Sequence, residues 1–539
     1  MSDVNFDLGV QDTNGHVDAI HRYPVGELLE KQARSQPNAT AIVDGEGAER
    51  TYGELNDRVN RLSNALLDRG VDVGSRIAIV SENRPEFAEV LFAAAKIGAI
   101  VATINYRQER AELLHCLEMA EPDVVAISER FGEKREWIEA ENSGIVTVGL
   151  DGQEGTLPYE TLVEDAQASR PDPSRPVSRE DALAILYTSG TTGLPKGAVL
   201  AHDTLLYRAV VWHLVPKAGP DFVAWGPMYN MISTEPLLTV TLLGGTFYVV
   251  DGFKTELVLE RHKEATAGYF IFIPGVVDRI LEYADESGIE TEAYDSVRTI
   301  GALADLVDPD KIQRLTELFD AEYVNTFGST EAGFPPLSNN TIPVGMRPTS
   351  EDLSKAEGPL IEVKLIDDSW NTVNDGEYGE MAVRGPTVFS GYIGNPEANE
   401  SDFHNGWFRT GDMFERNEDG TYDFIDRRKY LIKSGGMNIY PAELERVLLE
   451  HPDLKEAVAI RVPDEKWGEV PQVYASKADD AELSPDSLLE YMEDEIASYK
   501  LPHYVEFVDQ DDFPRSTTGK IVRSELEAWD DTGDRVRNP

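Results

Sequence analysis

Apolar residues along the first part of the chain recur at helical spacing and then in short continuous runs. Amphipathic helices are predicted around Leu28 and over 52–69, and short strands at 40–44, 77–81 and 100–104. Helices that alternate with strands are typical of a mainly parallel sheet, because each helix carries the chain back between strands of the same direction. Further apolar runs predict strands at 183–187, 246–250, 268–273, 297–300 and 321–327.

The pattern changes after Gly358 to short strands and turns. These predict a small antiparallel or barrel-like unit with strands at 361–366, 379–383 and 422–424. Pro441 then opens a helix, and the rest of the chain alternates short strands and helices. The predicted elements of this last part are strands at 457–462 and 473–475 and a helix at 487–496.

The sequence therefore predicts an α/β protein. We expect a large N-terminal domain of layered parallel sheets with helices plus a small β-barrel-like subdomain, and a small α+β C-terminal domain. The expected domains are residues 1–428 and 429–539. The boundary lies in the segment 428–434, which is basic, adjoins glycines and is suited to a hinge.

The charge balance changes what such a protein is expected to bind. The 539 residues include 98 Asp plus Glu against 49 Lys plus Arg, a net charge of −49, while 41% hydrophobic residues are normal for a globular protein. Nucleic acid and anionic lipid are excluded as partners, because both need clustered cations. The 49 basic residues are 17 Lys and 32 Arg. This acid excess with little lysine resembles adaptation to a salt-rich cytoplasm, in which salt screens self-repulsion.

The cellular setting is also constrained by the sequence. Cys116 is the single cysteine, so an internal disulfide is excluded. The first ten residues are acidic and show no secretory signal. The most apolar long segment, 87–104, contains Glu89 and Lys96, and we interpret it as a buried helix and strand. A cytoplasmic protein is expected.

The strongest chemical signal follows the strand predicted to end at Tyr187. The segment 188–197 reads TSGTTGLPKG, in which glycines let backbone amides approach phosphate oxygens, hydroxyls add donors and a lysine adds a cation. An ordinary P-loop needs Ser or Thr after the lysine, whereas Gly197 follows it here. The predicted phosphate-binding residues are Thr188, Ser189, Gly190, Thr191, Thr192 and Lys196.

Four further motifs follow in order. They are NTFGSTE at 325–331, FRTGD at 408–412, DRRK at 426–429 with IKSGGMNIYPAELE at 432–445, and PRSTTGKI at 514–521. With the phosphate loop, this set resembles the adenylate-forming superfamily of acyl-CoA synthetases, peptide-synthetase adenylation domains and luciferases. The resemblance spans about residues 25–528.

The resemblance implies a role for each matching position. It implies that ATP is bound by Asp412, which accepts hydrogen bonds from the ribose, by Arg427, and by Asn325, Thr326, Phe327 and Gly328, with the aromatic ring beside adenine. It also implies that Thr330 contacts the α-phosphate, that Glu331 holds Mg²⁺ and that Lys520 is catalytic. In the C-terminal domain, which the resemblance implies is mobile, Lys429 is the pivot, and Gly435 and Gly436 face coenzyme A. The substrates implied are ATP and coenzyme A, and the metal is Mg²⁺.

The chemistry of acyl activation makes these residue types reasonable. A carboxylate that attacks the α-phosphate brings two anions together, so the barrier is electrostatic and positional. Lys520 can bridge the two anions, Glu331 offers the hard oxygen that Mg²⁺ prefers, and Lys196 meets the outer phosphates.

The acid itself is less well defined. Positions that resemble the pocket wall are Tyr229, Asn230, Ile273, Gly301, Ala302 and Ala304. Peptide-synthetase domains commonly use an Asp near Asn230 to pair an amino group, and Asn230 lacks that charge. It also replaces the frequent gating His of the family. An apolar acid without an α-ammonium group is favoured, a fatty acid first and an aryl or alicyclic acid second.

The predicted function is an ATP-dependent carboxylic acid:CoA ligase that acts through an acyl-adenylate. Two alternatives stay open, an acyl-AMP ligase that loads a separate carrier protein and a non-catalytic nucleotide-binding relative. No positive feature supports luciferase-type oxygenation, and the oligomeric state is not readable from the sequence.

Overall fold

The computed structural model describes residues 23–142, 144–152, 156–188, 194–478, 481–493, 495–515, 521–529 and 534–536. These residues fold into two compact units. Unit 1 contains the described residues up to Gly268 together with Pro386–Asn399. Unit 2 contains Tyr269–Gly385 and the described residues from Glu400 onward.

Unit 1 is built on a mainly parallel sheet. All neighbouring strands in it are parallel except the last pair, Ala182–Thr188 and Lys196–Ala201, which is antiparallel. The parallel part confirms the prediction from helix and strand alternation. In spatial order, its strands are Leu157–Pro158, Val146–Gly149, Val124–Ile127, Arg76–Val80, Ile100–Thr103, Ala182–Thr188 and Lys196–Ala201.

A second sheet of unit 1 has the strand order Phe222–Ala224, Phe247–Val249, Thr40–Val43, Glu49–Thr51. Helices accompany both sheets, and Tyr52–Leu67 shows why they form where they do. It begins with a capping box, in which Thr51 and Glu54 satisfy each other's backbone N–H groups. The α-helices of unit 1 are Gly26–Ser35, Tyr52–Leu67, Pro85–Ile97, Arg110–Ala120, Gly132–Glu141, Tyr159–Asp165, His202–Leu214, Met231–Leu243 and Thr255–Glu264. A further helix, Pro396–Asp402, begins in unit 1 and ends in unit 2.

The apolar segment 87–104 forms the helix Pro85–Ile97 and the strand Ile100–Thr103, as predicted. Nearly every residue of the helix is buried, including Glu89, which pairs with Arg50 and Arg58. Among the described residues, no helix combines the length and apolar character that a membrane crossing requires.

Unit 2 contains three sheets. The first has parallel strands Tyr269–Phe270, Thr299–Ile300 and Glu322–Ser329 and an antiparallel strand Gly333–Ile342. The second is the predicted antiparallel unit, with strands Glu362–Ile366, Tyr378–Arg384, Trp407–Arg416, Phe403–His404 and Tyr422–Arg427. The helices of this part are Pro274–Ser287 and Pro309–Phe319. The strand predicted at 268–273 is shorter than expected, because Pro274 already opens a helix.

The third sheet is formed only from residues after Tyr430. Its strands are Met437–Ile439, Ile432–Ser434, Leu454–Asp464, Gly468–Lys477, Tyr504–Phe507 and Asp534–Arg535, and its helices are Pro441–Leu449, Pro485–Glu493 and Arg523–Leu526. Its hydrophobic core is also drawn from this part, with Ile432, Leu444, Val473 and Leu488 among the members. The expected domain boundary at 428/429 lies inside unit 2 and stays a prediction.

Candidate functional site

The two ends of the phosphate motif lie on neighbouring antiparallel strands of unit 1. Strand Ala182–Thr188 pairs with Lys196–Ala201, and Thr188 lies opposite Lys196. The ring of His115 donates from Nε2 to the carbonyl of Pro195 at 3.2 Å, and this holds the residue that precedes Lys196. Ser189, Gly190, Thr191 and Thr192 lie outside the described residues, so their predicted phosphate contacts stay predictions.

Two predicted acyl-pocket residues lie in unit 1, at the start of helix Met231–Leu243. Asn230 is the N-cap residue, but its side chain makes no capping hydrogen bond, and its backbone carbonyl accepts from Ser233 and Thr234 instead. Tyr229 is buried, and its carbonyl accepts a 2.9 Å hydrogen bond from Thr103 Oγ1. The backbone at this point is therefore fixed.

The second motif forms a hairpin in unit 2. Strand Glu322–Ser329 carries it, and Ser329 pairs with Gly333, which places Thr330 and Glu331 in the connecting turn. Phe327 packs edge-on against Phe414 with ring centroids 5.0 Å apart. Thr326 is buried, and Gly328 is partly exposed.

Asn325 joins this strand to the predicted pocket wall. Its fully buried amide accepts from the backbone N–H of Ala304 at 3.0 Å and donates to the carbonyl of Leu353 at 2.7 Å. Its side chain thus supports the protein itself, and a contact to ATP stays a prediction.

The other pocket-wall positions of unit 2 lie close to Tyr323. Gly301 has φ +87°, and a Cβ there would lie 2.2 Å from Tyr323 Cζ, so only glycine fits. Ala302 is buried, and its carbonyl accepts from the Tyr323 hydroxyl at 2.9 Å. Ile273, which is half-buried, precedes helix Pro274–Ser287 as its N-cap residue.

Asp412 and Arg427 face each other on neighbouring antiparallel strands. Arg427 Nε lies 3.0 Å from Asp412 Oδ1. Asp412 is 0% exposed, yet neither of its carboxylate oxygens accepts a hydrogen bond from any residue that the structure describes. The pKa of Asp412 is raised to about 6, mainly because the carboxyl group is buried. Arg427 opposes this rise, whereas the carboxylates of Glu331, Glu380 and Asp426 add to it. A buried acceptor without donors has a strong need for a hydrogen-bonding ligand.

Two carboxylates beside Asp412 were not assigned a role from the sequence. Glu380 is buried, accepts from the backbone N–H of Gly411 and pairs with Arg428 at 2.7 Å. Asp426 is also buried, its pKa is raised by burial to about 6, and it accepts from the N–H groups of Arg427 and Ala442. Asp426 could have been found from the sequence, because it is the first residue of the DRRK motif. Glu380 lies in none of the motifs, so no sequence signal pointed to it.

The predicted hinge begins as a short 3₁₀ turn, Arg428–Tyr430. The ammonium of Lys429 lies 4.8 Å from the Tyr430 ring centre, and its carbonyl accepts from Arg461 at 3.2 Å. Gly435 and Gly436 then connect the strands Ile432–Ser434 and Met437–Ile439.

The Gly435–Gly436 connection is a two-residue turn in which both φ values are positive, +55° and +85°. This is the backbone of a type I′ hairpin, which explains the two glycines in structural terms. A Cβ on Gly435 would lie 2.6 Å from the ring of Trp467, whereas no described residue has an atom within 4 Å of a Cβ on Gly436. Their predicted contact with coenzyme A stays a prediction.

Lys520 lies outside the described residues. The residues that flank it are paired, since Arg515 and Ile521 form an antiparallel bridge. Arg523 follows the loop, pairs with Glu445 at 2.5 Å and lies 4.5 Å from the Tyr430 ring centre. These contacts anchor the segment that begins at Ile521 to the helix Pro441–Leu449 and to the hinge.

The predicted Mg²⁺ site rests on a single carboxylate. Among the described residues, no group of three or more His, Cys, Asp or Glu is arranged to hold a metal ion. Glu331 is half-buried in the hairpin turn. One carboxylate is compatible with Mg²⁺, which is commonly bound by one or two carboxylates plus substrate phosphates.

Comparison with known proteins agrees with the motif assignment. The sequence model of the AMP-binding enzyme family matches residues 29–393, and that of the AMP-binding enzyme C-terminal domain matches residues 443–520. Feruloyl-CoA synthase from Amycolatopsis is 32% identical over 507 residues, which cover 93% of this chain and 98% of the relative. Indoleacetate–CoA ligase from Aromatoleum aromaticum is 29% identical and covers 93% and 97%, respectively.

The fold gives the same result. The structure of ATP-bound MatB from Rhodopseudomonas palustris superimposes with a TM-score of 0.81 at 26% identity, over 94% of this chain and 98% of that chain. The family model covers more than half of the residues, and the feruloyl-CoA synthase aligns over nearly the whole chain. The chain therefore belongs to the AMP-binding enzyme family.

Proposed function

We propose that the protein is an ATP-dependent carboxylic acid:CoA ligase that acts through an enzyme-bound acyl-adenylate. The observation that carries the proposal is Asp412, a buried carboxylate beside Arg427 whose two oxygens accept no hydrogen bond from the described residues. Ribose hydroxyls are donors of the right kind for it.

In the first half-reaction, an oxygen of the acid attacks the α-phosphorus of ATP and pyrophosphate leaves. Lys520 and Thr330 stabilise the charge that develops at the α-phosphate, and Lys196 binds the outer phosphates. Glu331 would hold Mg²⁺ together with phosphate oxygens, and the bound ion supplies neutralisation of phosphate charge. Phe327 and Asp412 bind the adenosine.

In the second half-reaction, the thiolate of coenzyme A attacks the acyl carbonyl and AMP leaves. We propose that the domain beginning at Lys429 rotates between the two steps, withdraws Lys520 and brings the Gly435–Gly436 turn to the thiol. The residues of a 3₁₀ turn at the end of a strand are suited to a large backbone change.

The substrate is proposed to be an apolar acid without an α-ammonium group. Asn230 offers no charge to pair an amino group, and its backbone is fixed as a helix N-cap. The sequence alone favours a fatty acid over an aryl acid. The two relatives named above are a feruloyl-CoA synthase and an indoleacetate–CoA ligase, whose acids are aromatic. We therefore propose an aryl acid as the first candidate substrate and a fatty acid as the second.

The function is tested with a panel of carboxylic acids, from short to long and from aliphatic to aromatic. AMP release is measured with coenzyme A, and ATP–pyrophosphate exchange is measured without it, at molar and at low salt. Coenzyme-A-dependent AMP release with an acid of the panel is expected. Pyrophosphate exchange without thiol consumption would support a carrier-protein ligase instead, and no exchange with any acid would support a non-catalytic relative.

The two half-reactions are separated by two variants. Lys520→Ala is expected to abolish adenylate formation but to spare thioester formation from supplied acyl-AMP. Gly436→Leu is expected to do the reverse. Gly70→Leu is a matched control, because Gly70 has φ +84° and, like Gly436, has no atom of the described residues within 4 Å of a Cβ. Equal damage to both half-reactions in either site variant contradicts the proposed domain alternation.

A further inference from the structure

The segment 390–393 of unit 1 pairs with the strand that carries Lys196. Ser390 N donates to Val199 O at 2.8 Å, Val199 N donates to Gly391 O at 2.9 Å, and Ile393 N donates to Gly197 O at 2.9 Å. Tyr392 is thereby the antiparallel partner of Ala198. The segment is distant from the phosphate motif in sequence, and none of the site residues predicted from the sequence lies in it.

This pairing brings an aromatic ring to the phosphate-loop lysine. Residues two apart on a strand share a face, so Lys196 and Ala198 point to the same side, and Tyr392 is a diagonal neighbour of Lys196. In this antiparallel register Gly394 is the residue opposite Lys196, and it adds no side chain there. Lys196 Nζ lies 4.7 Å from the centre of the Tyr392 ring, within the range of a cation–π contact.

The ring is held rigidly. Tyr392 is 7% exposed, and its backbone N–H and carbonyl both bond the side chain of Asn399, at 2.8 Å each. Phe389 packs against the Tyr392 ring with centroids 4.8 Å apart. The close approach of the two strands also depends on Gly197, because a Cβ there would lie 2.7 Å from Ile393 Cγ2.

We propose that Tyr392 is a positioning residue for Lys196. Its ring holds the ammonium at the exit of the phosphate loop before the polyphosphate of ATP or pyrophosphate binds. Ordering a flexible lysine side chain costs conformational entropy. A lysine already restricted by the ring pays less of that cost on binding, so the ring increases affinity for the polyphosphate.

The proposal rests on the proposed function in one respect, the phosphate-binding role of Lys196. Four variants test it in ATP–pyrophosphate exchange: Tyr392→Leu, Tyr392→Phe, Lys196→Met and the double variant Tyr392→Leu/Lys196→Met. Tyr392→Leu is expected to raise the KM values for ATP and pyrophosphate about 3- to 30-fold, the range of a cation–π contact. The KM for the acid is expected to stay within about twofold, because the ring acts on the lysine.

Two further results separate positioning from a structural role. Tyr392→Phe keeps the ring and is expected to recover most of the affinity that Tyr392→Leu loses. In the Lys196→Met background, Tyr392→Leu is expected to have no further effect on the KM for ATP. Tyr207→Leu, at an exposed tyrosine of the same unit, is the matched control and is expected to behave as the wild type.

The outcomes that overturn the proposal are distinct. If Lys196→Met leaves the KM for ATP unchanged, the phosphate role of Lys196 fails, and with it part of the proposed function. If Lys196→Met raises that KM but Tyr392→Leu does not, only the positioning role fails. Equal losses from Tyr392→Leu with and without Lys196 show that the ring acts through the fold, and also overturn the proposal.

Discussion

Two fully buried carboxylates, Glu235 in unit 1 and Asp412 in unit 2, differ in the hydrogen bonds that their oxygens accept. Both oxygens of Glu235 are bonded, one by Arg208 at 2.8 Å and the other by the indole N–H of Trp212 at 2.7 Å. Asp412 has a cation nearby, but within the described part of the chain neither of its oxygens accepts a hydrogen bond. The hydrogen-bonding needs of Glu235 are met by the protein, whereas those of Asp412 are met only when a ligand supplies donors.

The surroundings account for the difference. Glu235 faces two donors on the helix His202–Leu214, and Arg208 also donates to the carbonyl of Thr387, so the pair joins three segments. Asp412 lies among other carboxylates, and its pKa is raised to about 6 mainly by burial. Burial with satisfied bonds indicates structure, and burial without them indicates a binding site.

The largest effect is expected from breaking the satisfied pair. Arg208→Met leaves Glu235 buried without its cation, which is expected to lower the free energy of unfolding by about 3–5 kcal/mol. The double variant Arg208→Met/Glu235→Leu removes both charges and is expected to recover most of the loss. Denaturant unfolding at high salt measures this. If the double variant is no more stable than the single one, Glu235 is not the group that needs Arg208.

Asp412→Ala is expected to act on binding and not on stability. Hydrogen bonds to a charged acceptor contribute about 1.5–3 kcal/mol each, so losing two raises the KM for ATP about 100-fold or more. The free energy of unfolding is expected to stay the same or to rise, because a buried charge is removed. Glu415→Ala, on the same strand, is the control. A destabilised Asp412→Ala variant with normal KM would place Asp412 in the same class as Glu235.

The pKa of Asp412 gives a pH test. Ribose hydroxyls donate best to the ionised carboxylate, and with a pKa of about 6 roughly a tenth of it is ionised at pH 5. Affinity for ATP is therefore expected to be about tenfold lower at pH 5 than at pH 8. Asp412→Asn removes this titration, so its profile serves to subtract the titration of ATP itself. Identical profiles for the two proteins would contradict the assignment.

Stability is expected to change with pH in the opposite direction. Because the pKa of Asp412 is higher in the folded protein than its ordinary value of 3.8, the folded state binds more protons between about pH 4 and 6. The contribution of this group to the free energy of unfolding therefore falls as the pH rises through that window. Asp412→Asn is expected to remove this fall, as followed by unfolding at pH 4 to 8.

The smallest effect is expected from Arg427, whose side chain is half-exposed. Arg427→Gln removes the cation that lowers the pKa of Asp412, so the midpoint of the ATP-binding profile moves to higher pH and the KM at pH 7 rises about 3- to 10-fold. Arg427→Lys keeps the charge and is expected to keep the midpoint close to the wild-type value. If the midpoint does not move in Arg427→Gln, Arg427 does not lower the pKa of Asp412.

Much of the architecture could be predicted from local patterns. The helix predicted over 52–69 is observed as Tyr52–Leu67, and the strand predicted at 100–104 as Ile100–Thr103, because amphipathic spacing and capping act over a few residues. The strands Val124–Ile127 and Val146–Gly149 were missed, since short apolar runs without a flanking motif are ambiguous. Motif order also identified the family, which the comparisons confirm.

The sequence alone was enough to name the types of chemical group, their order and the acidic character of the surface. It could not say which carboxylates are satisfied, because Arg208 reaches Glu235 from another helix and Asp412 meets Arg427 across a strand pair. Nor could it bring Tyr392 to Lys196, which are joined by a strand pairing between distant segments. Hydropathy and motifs are local properties, whereas burial, hydrogen-bond satisfaction and charge proximity arise when segments pack together in the folded chain.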